Sequence, residues 1–168
     1  MILGLLLAAP AWAQAAEEYR LKAAFLFNFA KFVEWPPLAF KTTGDPITIC
    51  VAGKDPFGGA LDQAVNGKTV QGRAFLVRQL ADLQQIGTCQ IVFVSSSERK
   101  RLASIFHEIK NSGVLTVGEC DNFTAEGGIV NFRIAEGSVR IQINVDAAAQ
   151  QELRISSKLL SLAEIVRK

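Results

Sequence analysis

The stretch that decides the fold is IVFVSSSERKRLASIFHEIKNSGVLTV, residues 91–117. Ile91–Val94 is a short apolar run of the kind found in buried strands. Ser95 and Glu98 follow with the spacing of a capping box, which predicts a helix that ends at the Asn-Ser-Gly turn before the next strand, Val114–Val117. A strand, a helix and a strand in succession are typical of a crossover in a parallel sheet.

The same alternation continues on both sides of this unit. Upstream, residues 47–52 predict a strand, residues 56–64 a helix opened by Asp55-Pro56, and residues 75–77 a short strand. Downstream, residues 129–134 and 139–145 predict an antiparallel hairpin, and helices follow over 147–153, capped by Asp146, and over 158–166, introduced by Ser157. The sequence therefore predicts a single α/β domain with a mixed, mostly parallel sheet flanked by helices, ending in a C-terminal β-hairpin plus helices.

An unusually aromatic segment, YRLKAAFLFNFAKFVEW at residues 19–35, precedes the alternation. On a helix it has two apolar strips, one with Leu21, Phe25, Phe32 and Trp35, the other with Leu26, Ala30 and Val33. Pro36-Pro37 ends the helix. Such a helix is either buried on two sides or faces a partner on one of them. Its narrow polar sector supplies the candidate partner-binding residues, which are Phe27, Lys31 and Glu34.

The first thirteen residues have the features of a secretory signal peptide. Residues 1–16 include no charged side chain, residues 1–9 are almost wholly apolar, and Ala11-Trp12-Ala13 has the small-x-small pattern of a cleavage site. The apolar stretch is shorter than the roughly 20 residues that a spanning helix needs. We therefore expect residues 1–13 to be removed on export and residues 14–168 to form the mature domain. An N-terminal helix packed on the core is the alternative.

Three cysteines, Cys50, Cys89 and Cys120, fit neither a zinc site nor a disulfide-dense miniprotein. Outside the cytosol a pair of thiols can persist as a disulfide. Cys50 lies in one predicted strand and Cys89 directly precedes another, so the two come within bridging distance if those strands are neighbours. A loop of about 40 residues closed in this way stabilises a fold by about 4 kcal/mol. Cys120 is a buried hydrophobe, a free thiol or an intermolecular linker, and we favour the first.

Composition and charge exclude several classes of function. A net charge of +2 is far from the concentrated positive charge of nucleic-acid-binding proteins. His107 is the only histidine, which excludes a histidine-rich metal site, and it falls late in a predicted helix, away from the serines at 95–97. Neither a nucleotide-binding glycine motif nor a serine-hydrolase elbow is present. The sequence therefore predicts no catalytic residue, no metal and no cofactor.

The carboxyl ends of parallel strands are where an open α/β sheet binds ligands. Five residues there are candidates for a small-molecule cleft: Gly53, Lys54, Asp55, Ser95 and Ser96. The start of the helix predicted after Gly53 is also a candidate anion site. Two carboxylates at the end of a third strand are expected to be solvated, namely Glu119 and Asp121.

Several segments resemble the YfiR-like family (DUF4154). The first, KAAFLFNFAKFVEWP at residues 22–36, is the most specific. The others lie at residues 115–117, 127–132, 143–144 and 155–163, so the similarity runs from about Tyr19 to Val166.

The resemblance implies a periplasmic α/β domain without enzymatic activity. The best-studied members are negative regulators that hold an inner-membrane diguanylate cyclase inactive by contacting its periplasmic sensor domain, and an outer-membrane lipoprotein can sequester them. The resemblance also implies that Cys50 and Cys89 are the family's bridged pair and that redox state is a regulatory input. Cys120 has no partner for the second bridge of the best-studied member.

The leading hypothesis is therefore an exported, non-enzymatic regulator that binds and represses a membrane signalling protein. The resemblance implies that this protein is a diguanylate cyclase, so that the regulator affects cyclic-di-GMP signalling. The runner-up is a periplasmic small-molecule-binding or sensory domain that uses the strand-end cleft, and an enzyme is the third class. The sequence leaves open whether the chain forms a homodimer.

Overall fold

The computed structural model describes residues 8–167. The helices are α1 (Ala11–Phe32), α2 (Ala60–Val65), α3 (Leu102–Glu108), α4 (Val145–Gln150) and α5 (Ser157–Leu160). The strands are β1 (Val33–Glu34), β2 (Ile47–Ala52), β3 (Thr69–Val70), β4 (Arg73–Leu80), β5 (Ile91–Val94), β6 (Leu115–Gly118), β7 (Val130–Ala135), β8 (Ser138–Asn144), β9 (Arg154–Ile155) and β10 (Glu164–Val166). Short 3-10 segments cover Pro37–Ala39, Leu83–Thr88 and Ser96–Arg101.

Within these residues, eight strands form one sheet in the order β10-β8-β7-β6-β5-β2-β4-β3. Five strands that are adjacent in the sheet run parallel to one another, in the order β4-β2-β5-β6-β7. The pair β8 and β10 is also parallel. β7 and β8 form the antiparallel hairpin, and β3 joins β4 antiparallel at the other edge. A separate antiparallel ribbon pairs β1 with β9. The predicted α/β domain with a mixed, mostly parallel sheet is confirmed.

The central strands are buried on both sides because helices cover each face of the sheet. Successive residues of a strand point to opposite faces. In β2, Ile49 and Val51 join the core under α1 and α2, whereas Cys50 and Ala52 join the core under α3. Burial on both faces explains why residues 47–52 form an uninterrupted apolar run.

Helix α1 packs on the first face most closely through the strip of Leu26, Ala30 and Val33 and through Phe29. Leu26 and Phe29 are fully buried, whereas Leu21 is 46% exposed. Phe25 and Phe29 both pack against the ring of Phe132 in β7. Contact with this strand therefore buries the middle of α1 and leaves its first turns at the surface.

Both ends of α1 differ from the prediction. The helix ends at Phe32, before the two prolines, because Val33 pairs with Ile155 in the β1–β9 ribbon. It begins at Ala11, so the predicted cleavage site after Ala13 falls within α1. Residues 1–7 of the predicted signal peptide lie outside the described residues.

Two helix caps at the C-terminal end are shifted by one or two residues. The side chain of Asn144, not that of Asp146, accepts the amide of Ala147 at 2.9 Å and begins α4. Ser156, not Ser157, caps α5. The predicted helix over 158–166 is wrong beyond its first turn, because residues 164–166 pair with β8 as an edge strand.

Candidate functional site

The predicted disulfide is present. β2 and β5 are neighbours, and the Cys50–Cys89 bond spans a Cα–Cα distance of 6.0 Å on the α3 face of the sheet. Cys120 is a buried free thiol, as favoured. Burial, and after it the charge of Glu119, raise the pKa of the Cys120 thiol. A raised pKa keeps this cysteine in its unreactive thiol form.

Arg78 of β4 lies beside this disulfide. It is the register partner of Cys50 across the β2–β4 pair. One of its terminal nitrogens lies 3.8 Å from the sulfur of Cys50 and 3.8 Å from that of Cys89, and it donates to Oγ1 of Thr88 at 2.6 Å. Arg78 Nε is buried and bonds no described residue. A permanent positive charge at this distance favours the thiolate form of either sulfur once the bond is reduced.

The strand-end residues converge as their positions in the sequence predicted. β2, β5 and β6 lie side by side, and the segments after them line a cleft of about 280 Å³. Gly53 precedes this lining with φ of +87°, and a Cβ there would meet Oγ of Ser97 at 2.4 Å, so glycine is required. The four other predicted residues line the cleft: Lys54, Asp55, Ser95 and Ser96.

A buried carboxylate forms the inner wall of this cleft. Glu119 accepts hydrogen bonds from Lys22 Nζ at 2.8 Å, from the Tyr19 hydroxyl at 3.0 Å and from the Ser96 amide at 3.3 Å. Its side chain is only 6% exposed and that of Lys22 only 4%. The expectation that Glu119 is solvated is therefore wrong, whereas Asp121 is exposed as expected.

Glu119 occupies the position where an anionic ligand is bound in many α/β proteins, because it accepts the amide at the start of the 3-10 segment after β5. Lys22 also pairs with Glu18 at 2.5 Å, so its charge is neutralised from two sides. Burial, followed by the charge and the hydrogen bond of Glu119, raises the pKa of Tyr19 well above its usual value. The phenol therefore stays protonated and donates to the carboxylate.

The candidate anion site after Gly53 is absent because no helix begins there. Oδ1 of Asp55 accepts the amide of Phe57 at 2.7 Å, which closes a local turn. Helix α2 begins only at Ala60 and has six residues. Asp55-Pro56 therefore forms a turn and does not cap a helix.

A second region, which we call the Phe27 surface, consists of Phe27, Lys31 and Lys68. The half-buried ring of Phe27 packs on Phe75 of β4 at a centroid distance of 5.5 Å. The Nζ atoms of Lys31 and Lys68 each lie 4.4 Å from the Phe27 centroid. Neither ammonium has an ion-pair partner within residues 8–167. An open cleft of about 470 Å³ between α1 and α2 adjoins the ring, and three alanines help to line it: Ala24, Ala60 and Ala64.

The third predicted partner-binding residue, Glu34, is on a different element. It is exposed on β1, after α1 has ended, and its Oε2 lies 3.8 Å from Nε of Arg154. Lys68, in contrast, was not predicted. It follows an Asn-Gly turn that has no aromatic or apolar signal, and only the packing of α2 on α1 brings it to Phe27.

Other chemistry in the described residues is sparse. His107 is exposed in the last turn of α3. No three His, Cys, Asp or Glu side chains between residues 8 and 167 are grouped so that they could hold a metal ion. Over the same range, no helix combines the length and the apolar character that crossing a bilayer requires.

Comparison with sequence models of known protein families identifies the family of this chain. The sequence model of the YfiR/HmsC-like family (DUF4154) matches residues 19–164. The chain belongs to this family. YfiR/HmsC-like proteins are regulatory rather than catalytic and typically periplasmic, and the Cys50–Cys89 disulfide is consistent with an oxidising compartment. The match includes the disulfide and the Phe27 surface. It also includes Tyr19, Lys22, Ser96 and Glu119, which we call the Glu119 cluster.

Two solved structures share the fold of this YfiR/HmsC-like chain. A conserved domain protein from Vibrio cholerae O1 biovar El Tor superposes with a TM-score of 0.61 at 10% identity, over 89% of this chain and 60% of that one. An ABC domain from Streptococcus pneumoniae, crystallised in complex with L-Trp, gives a TM-score of 0.53 at 11% identity, over 91% and 60%. The chain thus spans 60% of the length of either protein, and at these identities the likeness concerns the fold alone. No curated protein sequence matches the chain.

Proposed function

We propose that this chain is an exported, non-enzymatic regulator that binds the periplasmic domain of an inner-membrane diguanylate cyclase and represses cyclic-di-GMP synthesis. The observation that carries the proposal is the family match over residues 19–164, since control by protein contact is what the family resemblance implies. The disulfide supports a periplasmic location. An outer-membrane lipoprotein that sequesters the regulator is the second partner we propose.

The Phe27 surface is our candidate for the contact with the cyclase. Aromatic anchors dominate the energy of protein interfaces, and Phe27 still has a part of its ring open to solvent. Lys31 and Lys68 beside it have no ion-pair partner among the described residues, so a partner that offers carboxylates gains from both electrostatic attraction and ring burial. Glu34, exposed on β1, remains a proposed peripheral contact.

The Glu119 cluster supports a protein-binding function over catalysis. The cleft at the strand ends is the usual place for a reactive centre in this class of fold. Here its inner wall is a carboxylate that is already bonded to a lysine, a tyrosine and a backbone amide. These contacts hold α1 against the sheet, so the groups at the strand ends stabilise the helix that carries Phe27.

The test is direct binding between purified proteins. Residues 14–168, oxidised, are titrated with the purified periplasmic domain of the diguanylate cyclase encoded nearest to this gene. Phe27→Asp should weaken binding at least about tenfold, a loss typical of an interface hot spot. The matched control is Leu38→Asp, since Leu38 is 96% exposed and lies in the 3-10 segment Pro37–Ala39, outside α1 and α2. If both variants bind with equal affinity, the Phe27 surface is not the contact site. If the wild type does not bind, the diguanylate cyclase is not the partner.

The strand-end cleft supports a second candidate function, the binding of a small molecule. The observation in its favour is that four polar residues predicted for such a site do line a cleft of about 280 Å³. A ligand present at 100 times its dissociation constant stabilises the fold by about 2.7 kcal/mol, which a thermal-shift screen detects. A broad metabolite panel that produces no shift would leave this candidate without support.

A further inference from the structure

The outer edge of β4 has no neighbouring strand along most of its length. On its inner side, β4 pairs with β2 from Phe75 to Leu80. On its outer side, β3 pairs only with Arg73 and Ala74. Within residues 8–167, no other strand joins the sheet at this edge. Residues 75–79 therefore form an open strand edge.

Three residues of this edge direct their main-chain groups outward. Arg73 pairs with Val70 across a two-residue turn, so the N–H and C=O of Arg73 point toward β3. Because this direction alternates along a strand, the N–H and C=O of Phe75, Val77 and Gln79 point to the same side. No described residue forms a main-chain hydrogen bond with these groups. The edge thus presents three donors and three acceptors over about 13 Å.

An apolar groove of about 480 Å³ accompanies this edge, between β4 and the connection from α2 to β3. Val65, Phe75 and Val77 contribute apolar side chains to it, and Asp62 and Lys68 also line it. Phe75 packs on Phe27, and Lys68 belongs to both the groove and the Phe27 surface. The groove is therefore continuous with the Phe27 surface.

A second copy of this chain fits the edge poorly. Two β4 edges can pair antiparallel about a shared two-fold axis. A pair centred on Val77 or on an earlier residue places the incoming strand against β3, which already covers Arg73 and Ala74. A pair centred on Arg78 avoids β3 but sets Arg78 directly opposite Arg78 of the second copy, and like charges in that position are destabilising.

We infer that the β4 edge accepts an extended segment of a different protein as an added strand, by main-chain hydrogen bonding to Phe75, Val77 and Gln79. The segment places an apolar side chain in the groove against Phe75 and Val77, and a carboxylate beside Lys68, whose ammonium has no ion-pair partner among the described residues. Asp62 also lines the groove, and its negative charge repels a second carboxylate. The carboxylate of the segment therefore lies at the Lys68 end of the groove. The inference rests on the proposed function. It adds that the partner is bound through an extended segment with an apolar side chain and a carboxylate.

The first test is amide hydrogen exchange resolved by residue, with the purified periplasmic domain of the diguanylate cyclase as probe. In the free chain, the amides of Phe75, Val77 and Gln79 should exchange faster than those of Leu76 and Arg78, which face β2. Addition of the probe should slow the exchange of the three outward amides. A complex in which they still exchange as fast as in the free chain would overturn the inference and leave the proposed function standing.

The second test removes one outward donor. Val77→Pro deletes an N–H that β2 does not use, and edge strands tolerate proline at such positions. Val77→Thr retains the N–H and is the matched control. We expect Val77→Pro to weaken binding of the probe at least about tenfold more than Val77→Thr does, because both variants alter the side chain in the groove and only the proline removes the donor. Equal affinities contradict the inference, and if Val77→Pro melts far below the wild type, the exchange experiment decides. A wild type that does not bind the probe overturns the proposed function and the inference together.

Discussion

The Nζ atom of Lys22 lies 2.8 Å from Oε2 of Glu119, and both side chains are almost fully buried although 97 positions separate them. The ion pair joins α1 to the end of β6, where open α/β sheets usually bind ligands. The charged groups at the strand ends are thus used to hold the helix that carries Phe27. Substitution of Lys22 or Glu119 should therefore lower the free energy of unfolding, and any loss of function should follow from that loss of stability.

Glu119→Ala should destabilise the fold by about 3 kcal/mol, the low end for breaking a buried ion pair, because Glu18 still neutralises Lys22. Chemical denaturation of the oxidised protein measures the loss. Asp121→Ala is the matched control, since the Asp121 side chain is 90% exposed and its removal should cost less than about 0.5 kcal/mol. Equal losses for the two variants would show that the buried pair does not stabilise the fold.

Tyr19 should titrate well above the ordinary tyrosine pKa of about 10. It is the only tyrosine, so ultraviolet titration of the folded protein reports on it alone. Because the folded pKa is raised, the stabilisation that Tyr19 contributes is complete below the unfolded pKa and is lost as pH rises through the folded value. Glu119→Gln removes the charge that opposes ionisation and should lower the pKa. A wild-type titration at the ordinary value contradicts this account of the cluster.

Arg78→Met should make the disulfide harder to reduce. The guanidinium lies 3.8 Å from both sulfurs and stabilises the thiolate that reduction produces, so its loss favours the oxidised form. At a pH above the thiol pKa, where the thiolate is the main reduced form, one pKa unit of thiolate stabilisation corresponds to about tenfold in the thiol–disulfide equilibrium. Equilibration in glutathione buffers measures the change. The exposed Arg133→Met is the control, and a variant Arg78→Met that is reduced as readily as the wild type would refute the role of Arg78.

Removal of the disulfide by Cys50→Ala and Cys89→Ala together should cost about 4 kcal/mol, given the sequence separation of 39 residues. Thermal unfolding under oxidising conditions measures the cost. Thiol titration of the oxidised, unfolded wild type should find one free cysteine, Cys120. Three free thiols would contradict the bond.

Gly128→Ala should destabilise the fold by about 2 kcal/mol, the cost of overpacking a core. A Cβ at Gly128 would lie 2.2 Å from the ring of Phe123, which is fully buried. Gly44→Ala is the control, because the nearest atom to a Cβ there is 4.0 Å away. If both variants unfold at the same temperature, the contact with Phe123 is not tight.

The sheet could be predicted because its strands are buried on both faces. Residues 47–52 and 91–94 are uninterrupted apolar runs, and both strands have the predicted bounds. The short elements could not be predicted in this way. β10 looks helical in the sequence, and only its pairing with β8 makes it a strand.

Those parts of the candidate site that depend on local sequence patterns could be predicted. The cysteine pair follows from two adjacent strands, and Phe27 stands out as an aromatic residue between charges on one helix. Lys68 and the burial of Glu119 were missed because they depend on contacts between distant segments. Lys22 on α1 has no sequence signal that distinguishes it from an exposed lysine, although it is 3% exposed in the fold.

Cellular cyclic-di-GMP tests the central claim most directly. Deletion of the gene should raise the cyclic-di-GMP level, and expression of the wild-type chain should restore it. Leu38→Asp should also restore the level, whereas Phe27→Asp, exported and oxidised to the same extent, should not. An unchanged cyclic-di-GMP level in the deletion strain would contradict the claim that this chain represses a diguanylate cyclase.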